Sequence, residues 1–121
     1  MINLESELAQ TFLIQKNRPN ELEILITIPK KFSYFLGHFP DFPVLPAVAL
    51  IDITSYLIKN LILNQPDLYI KKIGLLKIKA AVKPGDQVKI EILEKDASSY
   101  SATWLTQENE PKKIADLAIS F

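Results

Sequence analysis

Residues 46–63 form a segment that is apolar almost all round, set in a chain whose other segments alternate apolar and polar residues. Val48, Ala49, Leu50, Ile51, Ile53, Tyr56, Leu57, Ile58, Leu61 and Ile62 leave little polar surface on any side of a helix. Such a helix belongs at the centre of a fold, wrapped by other elements. The segment is slightly short for a membrane span, carries Pro43 and Pro46 at one end and holds Asp52 near its middle, so it is read as a core helix with no membrane span. Pro46 suits the first helical position, and Asn64-Gln65-Pro66-Asp67 ends the segment.

The flanking sequence supplies the wrapping. Leu22, Ile24, Ile26 and Ile28 alternate with Glu21, Glu23, Leu25 and Thr27, the period of a half-buried strand. Arg18-Pro19-Asn20 reads as a turn and Thr11–Gln15 as the hairpin partner, with Pro29 closing the strand. After the helix, 69–82 reads as one long strand whose apolar phase slips near Gly74, the mark of a bulge. Lys83-Pro84-Gly85-Asp86 is a turn. Three further strands follow, carried by Val88, Ile90 and Ile92, then Tyr100, Ala102 and Trp104, then Ala115, Leu117, Ile119 and Phe121. The expected class is α+β: two strands, a buried helix, then four strands in meander-like succession, all in one domain over 1–121.

Composition excludes several functions. Fourteen basic and fourteen acidic residues cancel, leaving no global field for nucleic acid or an anionic membrane. With no cysteine and one histidine, disulfides, a thiol nucleophile and a transition-metal site are not expected. Met1-Ile2-Asn3-Leu4-Glu5 has neither the basic start nor the apolar run of a signal peptide, which predicts a cytoplasmic protein.

The chemistry concentrates in residues 37–56. His38, the only histidine, lies between Gly37, which permits close backbone approach, and Phe39-Pro40, which stiffens the loop. Desolvation by Phe35, Phe39 and Phe42 would favour a neutral imidazole, the form a base requires. A turn-capping structural histidine is the alternative.

Asp52 is the only charge between Phe42 and Ile58, and its helical neighbours Val48, Ala49, Ser55 and Tyr56 include no cation. Burying such a carboxylate costs several kcal/mol, on the order of other unpaired buried charges, unless it is protonated or finds a partner. Asp52 therefore reads either as a proton donor to a leaving hydroxyl or as an acceptor that orients a neighbouring loop. Leu45 cannot cap the helix, so the amides of Ala47 and Val48 are free to polarise a carbonyl. Base, acid and carbonyl polariser together suit proton removal α to a carbonyl with loss of a β-hydroxyl.

The run Gly37-His38-Phe39-Pro40-Asp41-Phe42-Pro43-Val44-Leu45-Pro46-Ala47-Val48, followed by Asp52, resembles the 3-hydroxyacyl-acyl-carrier-protein dehydratase family of hotdog fold. Val82-Lys83-Pro84-Gly85-Asp86 is similar to that family's second landmark, a Pro-Gly-Asp turn. The resemblance covers residues 8–121. It implies His38 as general base, Asp52 as general acid, the amides of Ala47 and Val48 at the thioester carbonyl, and Phe39 and Tyr56 as further substrate contacts.

It also implies a homodimer in which His38 of one protomer faces Asp52 of the other. The substrate would arrive on the phosphopantetheine of an acyl carrier protein, with no other cofactor and no metal. Ala47 stands where the family has glycine, Tyr56 where its main branches have glutamine, and Asp52 where one large branch has glutamate. The Phe-Pro-Val-Leu-Pro run with Asp52 is similar to the small dehydratases of aryl-polyene-type gene clusters, although Ile53 replaces the aromatic expected there. A hotdog acyl thioesterase and a non-catalytic acyl-binding subunit are the alternatives within the same fold.

The lysines at 30, 31, 71, 72, 77, 79 and 83 read mainly as solvated strand surface, with steering of an acidic carrier as the alternative. Phe32, Tyr34 and Phe35 either line an acyl tunnel or pack the core. Trp104 reads as packing.

Overall fold

The computed structural model describes residues 4–8, 11–35 and 43–121. A short helix, α1 (Leu4–Leu8), leads into strands β1 (Phe12–Arg18) and β2 (Glu21–Thr27). After a single turn of tight helix at Ser33–Phe35 comes α2 (Ala47–Leu57), then β3 (Lys72–Ile78), β4 (Gln87–Asp96), β5 (Ser99–Thr106) and β6 (Lys113–Ser120). The described strands form one six-stranded sheet in the order β1-β2-β4-β5-β6-β3, with every pairing antiparallel.

The two faces of this sheet follow from strand alternation. Ile24, Ile90, Trp104 and Ala115 lie in register across four strands and are fully buried against α2. One residue further along each strand, Lys16, Glu23, Glu91, Thr103, Asp116 and Lys77 line up across all six strands of the opposite face. Glu23 and Glu91 would repel as direct cross-strand neighbours. Lys89 stands between them, 3.5 Å from Glu23 and 3.7 Å from Glu91. Asp116 accepts from Thr103 at 3.2 Å and pairs with Lys113 at 3.2 Å.

The strands and turns expected around β1–β2 and β4–β6 are present, and the Gly74 bulge shows as a register shift between Ile73 and Leu75. Gly85 takes φ +86°, a left-handed conformation that glycine adopts without strain. The hairpin partner β1 runs three residues beyond the expected Gln15. Helix α1 escaped the sequence reading because five residues carry no usable periodicity.

Two expectations about 69–82 need correction. The strand spans only Lys72–Ile78, and it pairs with β6 at the far edge of the sheet, so it is not a meander neighbour of β4. The chain peels away because its backbone is needed elsewhere: Lys79 and Ala80 still donate to the Ile114 carbonyl, but the Val82 carbonyl accepts from Leu45 at 2.8 Å. Residues 79–82 thereby leave the sheet to hold the segment that opens α2.

The helix also departs from expectation. Pro46 is the N-cap, in extended conformation, so Ala47 is the first helical residue. Regular α-helix stops at Leu57, and Ile58–Ile62 continues as a wider π turn, with Leu63 donating to Ile58 five residues back. Asn60 Nδ2 binds the Tyr56 carbonyl at 2.8 Å, competing for the acceptor that the Asn60 amide would use in a regular helix. Asn64, at φ 55°, ends the helical run. No described helix is long and apolar enough to cross a membrane.

Candidate active site

Burial of α2 is one-sided within the single chain. Ala49, Leu50, Ile53, Thr54 and Leu57 are buried on the sheet, whereas Val48 is 54% exposed and Ile51, Asp52 and Tyr56 are only partly covered. The expectation of a helix enclosed on all sides therefore fails for one stripe. Val48, Asp52 and Tyr56, spaced four apart, share that stripe.

One polar contact helps to hold the rotation of the helix about its axis. Trp104 Nε1 donates to Thr54 Oγ1 at 3.0 Å inside the core. Thr54 lies about 200° around the helix from Asp52, so anchoring one to the sheet turns the other away from it. Trp104 packs, as expected, and also orients.

At the helix start, Pro46 offers no side-chain cap. The amides of Ala47 and Val48 open the helix with no preceding intrahelical carbonyl to accept from them. Both residues are exposed. Beside them a cleft of about 320 Å³ is lined by Val44, Leu45, Leu50, Ile78, Ala81 and Val82, among others.

Asp52, which has no cation beside it on the helix, finds a hydrogen-bond donor in a neighbouring turn. Tyr34 donates its hydroxyl to Asp52 Oδ2 at 2.5 Å. Tyr34 sits in the tight turn Ser33–Phe35, with its ring edge-on to Phe32 at 4.9 Å. Burial, then the hydrogen bond and charge of Asp52, then the charge of Glu7, push the Tyr34 phenol well above its ordinary ionisation range. It stays protonated and remains a donor.

The turn is itself held from α1. Glu7 Oε1 accepts from the Ser33 amide at 2.8 Å and from Ser33 Oγ at 2.7 Å. The other oxygen, Glu7 Oε2, is buried with no hydrogen-bond partner among the described residues. Tyr56, one helical turn beyond Asp52, has its phenol raised by burial and secondarily by Glu5 of α1.

The structure thus brings Asp52, Val48 and Tyr56 to one face and places Ala47 at the mouth of the same helix. His38 and Phe39 lie outside the described residues. Of the aromatic trio, Phe32 and Tyr34 are buried and Phe35 is partly so, packing 6.4 Å from Phe32. Sequence reading missed Glu7 and Ser33 entirely. The available signal for Tyr34 was that it alone in Phe32-Ser33-Tyr34-Phe35 is a ring bearing a hydroxyl, which needs a partner when buried.

Similarity to known proteins accords with this arrangement. The sequence profile of the ApeI-like family, described as ApeI dehydratase, matches residues 14–117. The chain belongs to the ApeI-like dehydratase family.

It is 34% identical over 65 residues to the 3-hydroxyacyl-acyl-carrier-protein dehydratase FabZ of Halalkalibacterium halodurans, covering 50% of this chain and 46% of that one. The chain spans about half the length of such relatives. The dehydratase heterocomplex ApeI:P from Xenorhabdus doucetiae superposes with TM-score 0.74 at 20% identity, over 89% of this chain and 92% of that one. Mouse thioesterase superfamily member 2 superposes with TM-score 0.63 at 13% identity, over 94% and 83%. At these identities the likeness concerns the fold, which is the hotdog arrangement of an antiparallel sheet around one longer helix.

Proposed function

We propose that the chain dehydrates 3-hydroxyacyl thioesters, carried on the phosphopantetheine of an acyl carrier protein, to trans-2-enoyl thioesters. The observation that carries this reading is Asp52, a lone carboxylate on the uncovered stripe of α2, one turn beyond the uncapped amides of Ala47 and Val48, in a chain of the ApeI-like family. In this mechanism those amides polarise the thioester carbonyl. His38 removes a proton from C2, the C3–O bond breaks, and Asp52 protonates the departing hydroxyl as water. Phe39, Val48 and Tyr56 border the acyl chain. No step requires a metal or redox cofactor.

A homodimer completes the site, with His38 of one protomer meeting Asp52 of the other. The partly covered stripe of α2 supports this assembly. So does the edge strand β3, which leaves Ile73 43% and Ile78 47% exposed on the side of the sheet that faces the helix.

Hydration of a trans-2-enoyl thioester on carrier protein, followed by loss of enoyl absorbance, tests the reaction in reverse. The expected result is turnover by wild-type protein and a fall of about 10²–10⁴-fold in His38→Ala and Asp52→Ala, the range for removing an acid or base. Wild-type protein inert across short and long acyl chains would defeat the reading, as would release of free thiol in place of hydration.

A further inference from the structure

We propose that Tyr34 is the positioning residue of Asp52, and that together with its support from Glu7 it governs the rate of the elimination rather than the affinity for the thioester. This inference rests on the function proposed above.

Four observations carry it. The Tyr34–Asp52 contact, at 2.5 Å, is at the short end for O–H···O bonds. Among the described residues it engages Oδ2 and no partner meets Oδ1, the oxygen assigned to substrate. The side chain that makes it is buried and fixed by the edge of Phe32. The turn that presents it is tied to a different element, through two hydrogen bonds from Ser33 to one oxygen of Glu7.

An aspartate on a helix has two side-chain torsions to order before it can act. A rigid buried donor on one oxygen removes both, and misplacement of a reacting group is costly. A tyrosine serving only to fill the core would carry no hydroxyl to the one acidic side chain of α2.

The charge change during reaction gives the contact a direction. As the proton passes from Asp52 Oδ1 to the C3 oxygen, that oxygen departs as water with the C3–O electron pair, and His38 takes the C2 proton. Negative charge then develops on the Asp52 carboxylate. The hydrogen bond from Tyr34 strengthens as its acceptor becomes ionic. It therefore stabilises the transition state more than bound substrate, and its loss falls on kcat.

The test is Tyr34→Phe, which removes the hydroxyl and keeps the ring against Phe32. It is assayed in the elimination direction beside wild type, by initial rates of 3-hydroxyacyl-thioester dehydration read as the rise of enoyl absorbance, with melting temperatures compared. The expected result is a kcat lowered about 10- to 100-fold, the worth of a hydrogen bond to a charged group, with KM almost unchanged. Glu7→Ala, which releases Ser33, should lower kcat in the same way but by a smaller factor. Unchanged kcat in a folded Tyr34→Phe overturns the inference and leaves the dehydratase reading intact. A change confined to KM also overturns it.

A second measurement needs neither turnover nor a Tyr34 variant. A slowly exchanging tyrosine hydroxyl proton should be visible by NMR in wild type and absent in Asp52→Ala. Persistence of that signal in folded Asp52→Ala overturns the pairing, whatever the activity. Inert wild-type protein would instead defeat the proposed function.

Discussion

Trp104 and Thr54 form a buried polar contact between sheet and helix: the indole N–H of β5 reaches the hydroxyl of α2 at 3.0 Å, and both residues are fully shielded from solvent. Packing of Ala49, Leu50, Ile53 and Leu57 on the sheet and the cost of burying Asp52 already favour one face of α2. The Trp104–Thr54 hydrogen bond reinforces that rotation, and with it the direction in which Asp52 points.

Thr54→Val keeps the shape of the side chain and strands the indole donor. The expected loss of stability is about 1–3 kcal/mol, the cost of an unsatisfied buried group. Urea unfolding should show the midpoint fall with an unchanged slope, and Thr54→Ser, which keeps an acceptor, should lose less of the hydrogen-bond contribution.

Gly85 is required by its backbone more than by crowding. A Cβ there would meet the Lys30 side chain at 3.2 Å, which can swing aside, but φ +86° remains strained for any L side chain. Gly85→Ala should destabilise the protein by about 1–2 kcal/mol, read from thermal or urea unfolding. Gly74→Ala should cost less, since its Cβ would sit 3.8 Å from Ala118 in ordinary contact at an ordinary φ.

Strand β3 is an edge with apolar residues exposed, a surface that invites pairing with another chain. Ile73→Lys should convert the proposed dimer to monomer, measured by light scattering or sedimentation at several concentrations. Wild-type protein that sediments as a monomer would remove the composite site from the proposal.

Stability should fall in alkali. The Tyr34 phenol ionises well above 10.0, its ordinary value, when the chain is folded. Between 10.0 and that higher value the unfolded chain has lost the proton and the native state retains it. The native state then binds more protons, so unfolding becomes easier as pH rises. The contribution is complete below pH 10 and is lost through the window above it. Urea midpoints taken from neutral to strongly alkaline pH should drop more steeply in wild type than in Tyr34→Phe.

Much of this architecture was legible from residue order alone. Alternation marks β2, β4, β5 and β6 because strand neighbours face opposite sides, and the apolar run from Val48 marks the helix that those strands cover. Pro84-Gly85-Asp86 marks its turn through backbone preferences that act locally. Asp52 stood out as a charge without a local counterpart.

Tertiary structure alone decided the rest, because it depends on groups distant in sequence. The place of β3 beside β6 follows from backbone bonds to residues about forty positions away, while Val82 is drawn off by Leu45. The exposed stripe of α2 follows in part from the contact of Thr54 with Trp104, fifty residues later. The partner of Asp52 lies eighteen residues earlier, and that partner's turn is held by Glu7, a further twenty-six residues from Ser33. A periodic pattern reports which side of an element is apolar. Only packing determines which donor meets which acceptor across elements.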